Sequence, residues 1–214
     1  MKKYHILMAD IIGSRKKNSK AVIKGFLELV NKMNNEYRHS FLSPLTVTLG
    51  DEFQAIVRSL PDGIDVILAM EEAIVKLNLN FKLKYILNFG SIDTKINPRI
   101  AYGMLGEGLT TSRKLLEKSK PKKIRFLIQT YDTPLSEKLG LVFILYQAIV
   151  DAWAFKDYRI VKEFLDCDDY KKVAGQIRKN ISQSWKWKKS LQITEYQTVK
   201  KLIALLLESA PCQK

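Results

Sequence analysis

The chain has 214 residues, of which 46% are hydrophobic and 27% charged, with ten glycines and six prolines. This composition excludes a disordered, collagen-like or disulfide-stapled protein and favours one large or two small folded domains. Two cysteines, Cys167 and Cys212, are too few for a disulfide framework. No apolar stretch reaches the roughly 20 residues of a membrane span, and His5 and Asp10 interrupt the apolar start, which is unlike a signal peptide. We therefore expect a cytoplasmic protein without a membrane span.

The charge is strongly basic and unevenly distributed. Lysines and arginines number 36 against 22 acidic residues, for a formal net charge of +14. Residues 170–201 hold nine basic residues and one acid, and residues 113–125 hold seven basic residues and one acid. Such clusters favour a polyanionic partner, meaning nucleic acid, nucleotide or an anionic membrane surface. The alternative for either cluster is a solvated basic surface.

Apolar patterning predicts strands and helices in alternation over the first 130 residues. In chain order they are a buried strand at 4–11, a helix at 20–38, strands at 45–49 and 53–58, a helix at 64–77, a strand at 81–89, a helix at 105–118 and a strand at 124–129. The order βαββαβ, with a further helix before the last strand, is typical of an α+β fold of the ferredoxin-like, split βαβ type. His5, in the first strand, is interpreted as a core or edge histidine.

After Pro134 the strand pattern ends and only helical segments follow. They lie at about 136–153, 156–165, 169–179, 182–190 and 194–209. We therefore predict a domain boundary near residue 133, with an N-terminal domain over residues 1–133 and an all-helical domain over residues 134–214.

Carboxylate side chains lie at the ends of two of the predicted strands. Asp10 ends the first strand, and Asp51 and Glu52 lie at the hairpin tip. If the hairpin pairs beside the first strand, the backbones lie roughly 5 Å apart, and the carboxylates repel unless a cation such as Mg²⁺ lies between them. Gly13 and Ser14 offer backbone N–H groups and a hydroxyl to a phosphate. The alternative is a plain hairpin turn, with Asp10 ending a strand or capping a helix.

Two stretches carry a family resemblance. ADIIGSR at 9–15 and TLGDEFQA at 48–55 resemble the palm domain of class III nucleotide cyclases and GGDEF domains, in which a first-strand Asp and a hairpin Asp or Glu hold metal ions. The sequence, including NFGSI at 88–92 and GEGLTTSRKLLEKSK at 106–120, is more similar still to the SatD family, bacterial proteins with a helix-turn-helix region behind this pattern. The resemblance places a metal at Asp10, Ile11 and Asp51, and a phosphate or nucleotide at Gly13, Ser14, Glu52, Thr110 and Lys114.

The sequence also departs from the cyclase pattern. Val47 stands where adenine-selecting cyclases commonly carry Lys, and Thr110 and Lys114 stand where cyclases carry the Asn and Arg that stabilise the transition state. Lysine supplies charge but does not reproduce a bidentate guanidinium. We therefore expect metal and phosphate binding, with cyclisation absent or very slow.

The C-terminal segment has the spacing of a helix-turn-helix unit. Asp168-Asp169 are predicted to cap a helix over 170–179, and Ser182 is predicted to cap a second helix over 183–190. The segment resembles winged and related helix-turn-helix regulators, with Ile181 and one tryptophan expected to pack inward. Residues of the second helix are predicted to contact DNA, with Gln183 and Ser184 at base edges and Lys186, Lys188 and Lys189 at phosphates. The alternative is a helical cap that packs on the first domain or makes a dimer.

These features together predict a homodimeric regulator with a degenerate cyclase-like domain and a DNA-binding helix-turn-helix. A homodimer is expected because the palm resemblance and helix-turn-helix geometry both imply one. Two alternatives stay open. One is an active Mg²⁺-dependent nucleotide cyclase or related phosphoryl-transfer enzyme with a helical dimerisation tail, and the other is a protein-interaction scaffold with neither activity.

Overall fold

The computed structural model describes residues 2–13 and 19–209. The first part consists of β1 (Lys2–Ile11), α1 (Ser19–Glu36), β2 (Phe41–Val47), β3 (Glu52–Val57), α2 (Leu60–Lys76), β4 (Leu83–Ile92), α3 (Glu107–Ser119) and β5 (Phe126–Gln129). The second part consists of α4 (Thr133–Ala152), α5 (Tyr158–Asp166), α6 (Tyr170–Gln176), α7 (Ile181–Ser190) and α8 (Ile193–Glu208). The predicted order of strands and helices is confirmed.

The predicted first residues of one helix and one strand were each wrong by four positions. Helix α2 begins at Leu60 rather than 64, because the hydroxyl of Ser59 accepts a hydrogen bond from the Asp62 backbone N–H and Pro61 lies in the first turn. Strand β2 begins at Phe41 rather than 45. Pro44 lies inside it, which is tolerated because β2 is an edge strand with irregular pairing.

The sheet has the strand order β2-β3-β1-β4-β5. All neighbouring strands are antiparallel except β4 and β5, which are parallel. The first four strands therefore form the split βαβ arrangement, and β5 is added after α3. The central β1 is buried from His5 to Ile11, which explains its nearly continuous apolar sequence.

Alternating side chains of β1 divide the hydrophobic core between the two faces of the sheet. Ile6 and Met8 belong to a smaller cluster with Leu109 and Leu116 of α3. Leu7 and its neighbours on the other face belong to a larger cluster, which includes residues of α1, α2, α4, α5 and α8. The C-terminal helices thus share a hydrophobic core with the sheet. The boundary near residue 133 stays a prediction.

A buried guanidinium joins the sheet to α4. The side chain of Arg125, just before β5, donates to both carboxylate oxygens of Glu71 on α2 at 2.6 and 2.7 Å and to Asp151 on α4 at 2.7 Å. Its Nε donates to the carbonyl of Leu83 at 2.9 Å, and the hydroxyl of Tyr85 also donates to Glu71. The charge is therefore fully compensated by hydrogen-bonded acceptors, as a buried charge requires.

Helix α3 approaches β4 closely at two glycines. A Cβ atom built on Gly90 would lie 2.5 Å from the Cα of Gly108, so neither position tolerates a side chain without movement of the backbone. This contact fixes the start of α3 against β4 and so sets which of its side chains reach the end of β1.

Within residues 2–13 and 19–209, no single helix is long and apolar enough to cross a membrane. One helix pair, α4 together with the Phe155–Asp166 segment, satisfies length and composition but is bent by 79°.

Candidate functional site

Three charged residues face one another across the end of β1. The antiparallel register pairs Asp10 with Glu52 on β3 and with Lys84 on β4. Residues directly opposite in an antiparallel pair project to the same face, which here is the face covered by α3. Asp51 lies in the turn before β3, and its backbone carbonyl accepts a hydrogen bond from the Ile11 N–H at 3.0 Å. The hairpin carboxylate paired with Asp10 in the sheet is therefore Glu52.

Cationic side chains engage both of these carboxylates. Lys120, at the end of α3, donates from Nζ to Asp10 Oδ2 at 2.9 Å, and Arg113 donates to the Glu52 carboxylate at 2.6 Å. The hydroxyl of Thr48 also donates to Glu52, at 3.1 Å. We name Asp10, Glu52, Lys120 and Arg113 the carboxylate row. Its acidic members are nearly buried, whereas Lys120 is half exposed.

Burial and the ion pairs shift the pKa values of the carboxylate row in opposite directions. Burial raises the pKa of Glu52 and the nearby Asp10 charge adds to this, while Arg113 opposes it. The hydrogen bond to Asp10 raises the pKa of Lys120. Burial lowers the pKa of Lys84, whose ammonium donates to carbonyls at the end of α3, including that of Lys122 at 2.6 Å. Arg113 and Lys120 thus offset the acidic charge of Glu52 and Asp10.

Asp10 and Glu52 are carboxylates, the kind of protein ligand that Mg²⁺ prefers. Magnesium is commonly held by one or two carboxylates, with water and phosphate oxygens filling the other positions, and Asp10 and Glu52 would supply those carboxylates. Each carboxylate already accepts a charged donor, so Lys120 and Arg113 would have to move. Within residues 2–13 and 19–209, no group of three His, Cys, Asp or Glu side chains could hold a metal. Ligation by Ile11 or Asp51 stays a prediction.

The predicted phosphate-binding positions are spread over two elements. Gly13 is exposed, with a φ of +71° that favours glycine, and Ser14 lies outside the described residues. Thr110 and Lys114 are exposed on α3, one turn apart. Binding of a phosphate or nucleotide at these positions and at Glu52 stays a prediction.

Sequence reasoning missed the residues that contact the carboxylates. Arg113 and Lys120 both lie in the basic cluster over 113–125, so a signal existed at the level of composition. Which basic residues reach β1 and β3 depends on how α3 packs at Gly90, and the sequence pattern does not show this packing.

The second candidate site is the pair of helices α6 and α7. Asp169 caps α6 by accepting from the Lys171 N–H at 2.8 Å, as predicted. The predicted cap of α7 at Ser182 is wrong, because Asn180 occupies that position and accepts from the Gln183 N–H at 2.7 Å. Helix α6 ends at Gln176 rather than 179. The connecting residues 177–180 include Arg178 in the left-handed region, at φ +53°.

Two of the predicted orientations on α7 are wrong. Ser184 is fully buried, so its hydroxyl does not face a base edge, and Ile181 is 52% exposed rather than packed inward. The physical reason is that α7 begins at Ile181, and Trp187, which shares the face of Ser184, packs on the core instead.

The other side chains predicted to contact DNA are accessible to different degrees. Lys186 is exposed, and Gln183 is half-buried. The ammonium of Lys189 lies 4.2 Å from the ring centre of Trp185, which is 43% exposed. Lys188 is held by a 2.6 Å hydrogen bond to the carbonyl of Asp168. An aromatic ring and two lysines are thus presented to solvent on one helix.

The strand order and the helices on both faces of the sheet define a mixed α+β protein with a five-stranded sheet. The chain belongs to the SatD family, whose sequence profile matches residues 4–202. No curated protein sequence matches it.

Solved nucleotide cyclase structures resemble this chain in part. A bacterial light-regulated adenylyl cyclase matches 59% of it at 12% identity, with a TM-score of 0.46, and the match spans only 42% of that protein. The guanylyl cyclase Cya2 matches 55% of this chain at 18% identity, with a TM-score of 0.39, and the match spans 70% of the Cya2 chain. The guanylyl cyclase domain of the RhoGC fusion protein from the aquatic fungus Blastocladiella emersonii matches 54% of this chain at 15% identity, with a TM-score of 0.36. That match spans 77% of the cyclase domain's chain. Such distant likenesses assign no activity.

Proposed function

We propose that this protein is a DNA-binding regulator whose N-terminal part binds a phosphate-containing ligand without cyclising it. The observation that carries the proposal is the basic surface of α6 and α7. From Tyr170 to Leu191 the sequence contains seven basic residues and no acidic one. The exposed members are Lys171, Lys172, Arg178, Lys179, Lys186 and Lys189.

These charges are available to a polyanion. The ion pairs found among the described residues involve none of the six exposed members. Helix α7 has 10 residues and a capped N-terminus. The recognition helix of a helix-turn-helix unit lies in the major groove with its N-terminal residues toward the bases. In this proposal Gln183 reads sequence, and Lys186 and Lys189 contact phosphates.

A titration of duplex DNA at two salt concentrations tests this proposal. Lys186→Ala/Lys189→Ala should weaken binding to all sequences and reduce the salt slope by about 0.9 for each lost phosphate contact. The matched control is Lys20→Ala/Lys24→Ala, which removes the same charge from exposed positions of α1. Absence of binding at about 50 mM salt, where phosphate contacts are strongest, would contradict the proposal, as would an equal loss in the control.

The Gln183→Ala variant tests recognition of base edges separately from contacts to phosphates. The variant should keep its non-specific affinity, because no phosphate contact is removed, and should relax the preference for the sequence selected by the native protein from a random duplex pool. An unchanged preference would remove Gln183 from the proposed reading surface.

The carboxylate row favours a second candidate, an Mg²⁺-dependent nucleotide cyclase or related phosphoryl-transfer enzyme. Asp10 and Glu52 are the residues that would hold Mg²⁺, and Arg113 and Lys120 would then be free to contact phosphate oxygens. The ion supplies charge stabilisation when bound. Formation of cyclic nucleotide by the purified protein would favour this candidate over the regulator.

A further inference from the structure

Within the described residues, the last strand of the sheet pairs with another strand on one side only, and its other edge lies beside an apolar groove. Strand β5 pairs with β4 on one side and ends the sheet on the other. A groove of about 420 Å³ lies between β5 and α4. Its apolar lining includes Ile124, Phe126, Ile128, Leu141 and Ile144. Free strand edges carry unpaired N–H and C=O groups and are templates for pairing with another chain.

From Leu139 to Val150, the adjoining face of α4 is apolar and uncharged. Leu141, Ile144 and Leu145 are exposed, Leu141 by 67%, and their spacing of three and four residues places them on one stripe. Residues 139–150 contain no charged side chain. In a protein with a net charge of +14, such a surface is where two like-charged molecules can approach with little repulsion.

We propose that this edge is the interface between two copies of the chain. Antiparallel pairing of one β5 with another about a two-fold axis perpendicular to the sheet would join the two sheets. Such an axis keeps the faces of the sheets aligned, so both α4 helices lie on the same side. The stripe of each α4 would then be covered by the stripe of the other.

Charges at the two ends of β5 complement each other in this arrangement. Lys122 and Lys123 precede the strand, and Asp132, Glu137 and Lys138 follow it, so the end after the strand keeps a net negative charge. Antiparallel pairing brings the beginning of one strand to the end of the other, so the basic end of each copy lies near the acidic end of its mate. This self-complementarity identifies a second copy, rather than a different protein, as the occupant of the groove.

Sedimentation equilibrium of the full chain, without DNA or nucleotide, tests the proposal independently of the proposed function. The native protein should dimerise, and Leu141→Glu should weaken dimerisation by at least about 100-fold, because it places a charge in the centre of the apolar contact. Leu49→Glu is the matched control, since Leu49 is 66% exposed at the opposite edge of the sheet. Circular dichroism checks that both variants are folded.

A charge swap makes the test specific for the antiparallel arrangement. Lys123→Glu and Glu137→Lys should each weaken the dimer, and the double variant should restore it, because the two charges then meet with exchanged signs. A native protein that is monomeric from micromolar concentrations upward would overturn the proposal. So would a dimer that Leu141→Glu leaves intact, one that Leu49→Glu disrupts equally, or a double variant that is weaker than both single ones.

Discussion

Arg125 is the residue through which the sheet, α2 and α4 are held together by charge. Glu71→Ala would leave its buried guanidinium with only part of its acceptors. Breaking a buried pair from one side typically costs about 3–5 kcal/mol, and we expect a loss of that size in the free energy of unfolding measured with urea. The comparison is Glu36→Ala, which removes an exposed pair with Lys32 and should cost no more than about 0.5 kcal/mol. Equal losses would contradict the role given to Arg125.

His5 makes stability depend on pH in a defined direction. Burial in β1 lowers its pKa from 6.5 to about 4, against a smaller opposing effect of Asp62. Above pH 6.5 the imidazole is neutral in both the folded and the unfolded chain. As the pH falls toward 4, the unfolded chain binds a proton that the folded chain does not, so stability is lost.

The measurement compares variants, because carboxylates also titrate in this range. Between about pH 7.5 and about pH 4.5, the native protein should lose roughly 2 kcal/mol more than His5→Gln. His39→Gln, at an exposed position, should behave like the native protein. A His5→Gln variant with the native pH dependence would show that His5 titrates normally.

At the scale of single elements, the start of α7 distinguishes the structure from the sequence-based expectation. Asn180→Ala removes the observed cap and should destabilise α7 by about 1 kcal/mol. Ser182→Ala removes the cap predicted from the sequence and should have little effect. Hydrogen exchange of the α7 amides measures both, and faster exchange in Ser182→Ala alone would reverse the assignment.

The order of the strands and helices could be predicted from the sequence, but the strand register and one helix cap could not. The order of the elements follows from the 2.0 and 3.6 periods, and the burial of β1 follows from its nearly continuous apolar run; both are local properties of the sequence. The pairing of Asp10 with Glu52 could not be predicted in this way, because no turn joins β1 to β3 and fixes their register, and a shift of one residue moves every side chain to the other face. Asn180 and Ser182 are both good caps, and only tertiary packing selects one.

The ion pairs of the carboxylate row lay beyond sequence reasoning for a different reason. Arg113 is separated from Glu52 by 61 residues, and Lys120 and Asp10 lie on different elements. Their contacts depend on how α3 packs on the sheet, where Gly90 and Gly108 approach each other closely. The sequence therefore shows the basic cluster over 113–125 but not which carboxylates its members contact.

For the whole molecule, we expect ligand binding without turnover. ATP or GTP with Mg²⁺ should raise the melting temperature, and Asp10→Asn should abolish this shift. Cyclic products should be absent, because Thr110 and Lys114 replace two stabilising groups and each missing donor typically costs about 10²–10³ in rate. Mass spectrometry of the reaction mixture measures the products. A native protein that produces cyclic nucleotide at a robust rate would make the enzyme the better description.

The contact of Lys189 with Trp185 has an optical consequence. Trp153 directly follows α4, Trp185 and Trp187 lie in α7, and none of the three tryptophans of the chain lies in the sheet. Trp185 is the exposed one, so its emission responds to whatever covers the outer face of α7. Occupation of α7 can thus be followed by intrinsic fluorescence without an attached dye.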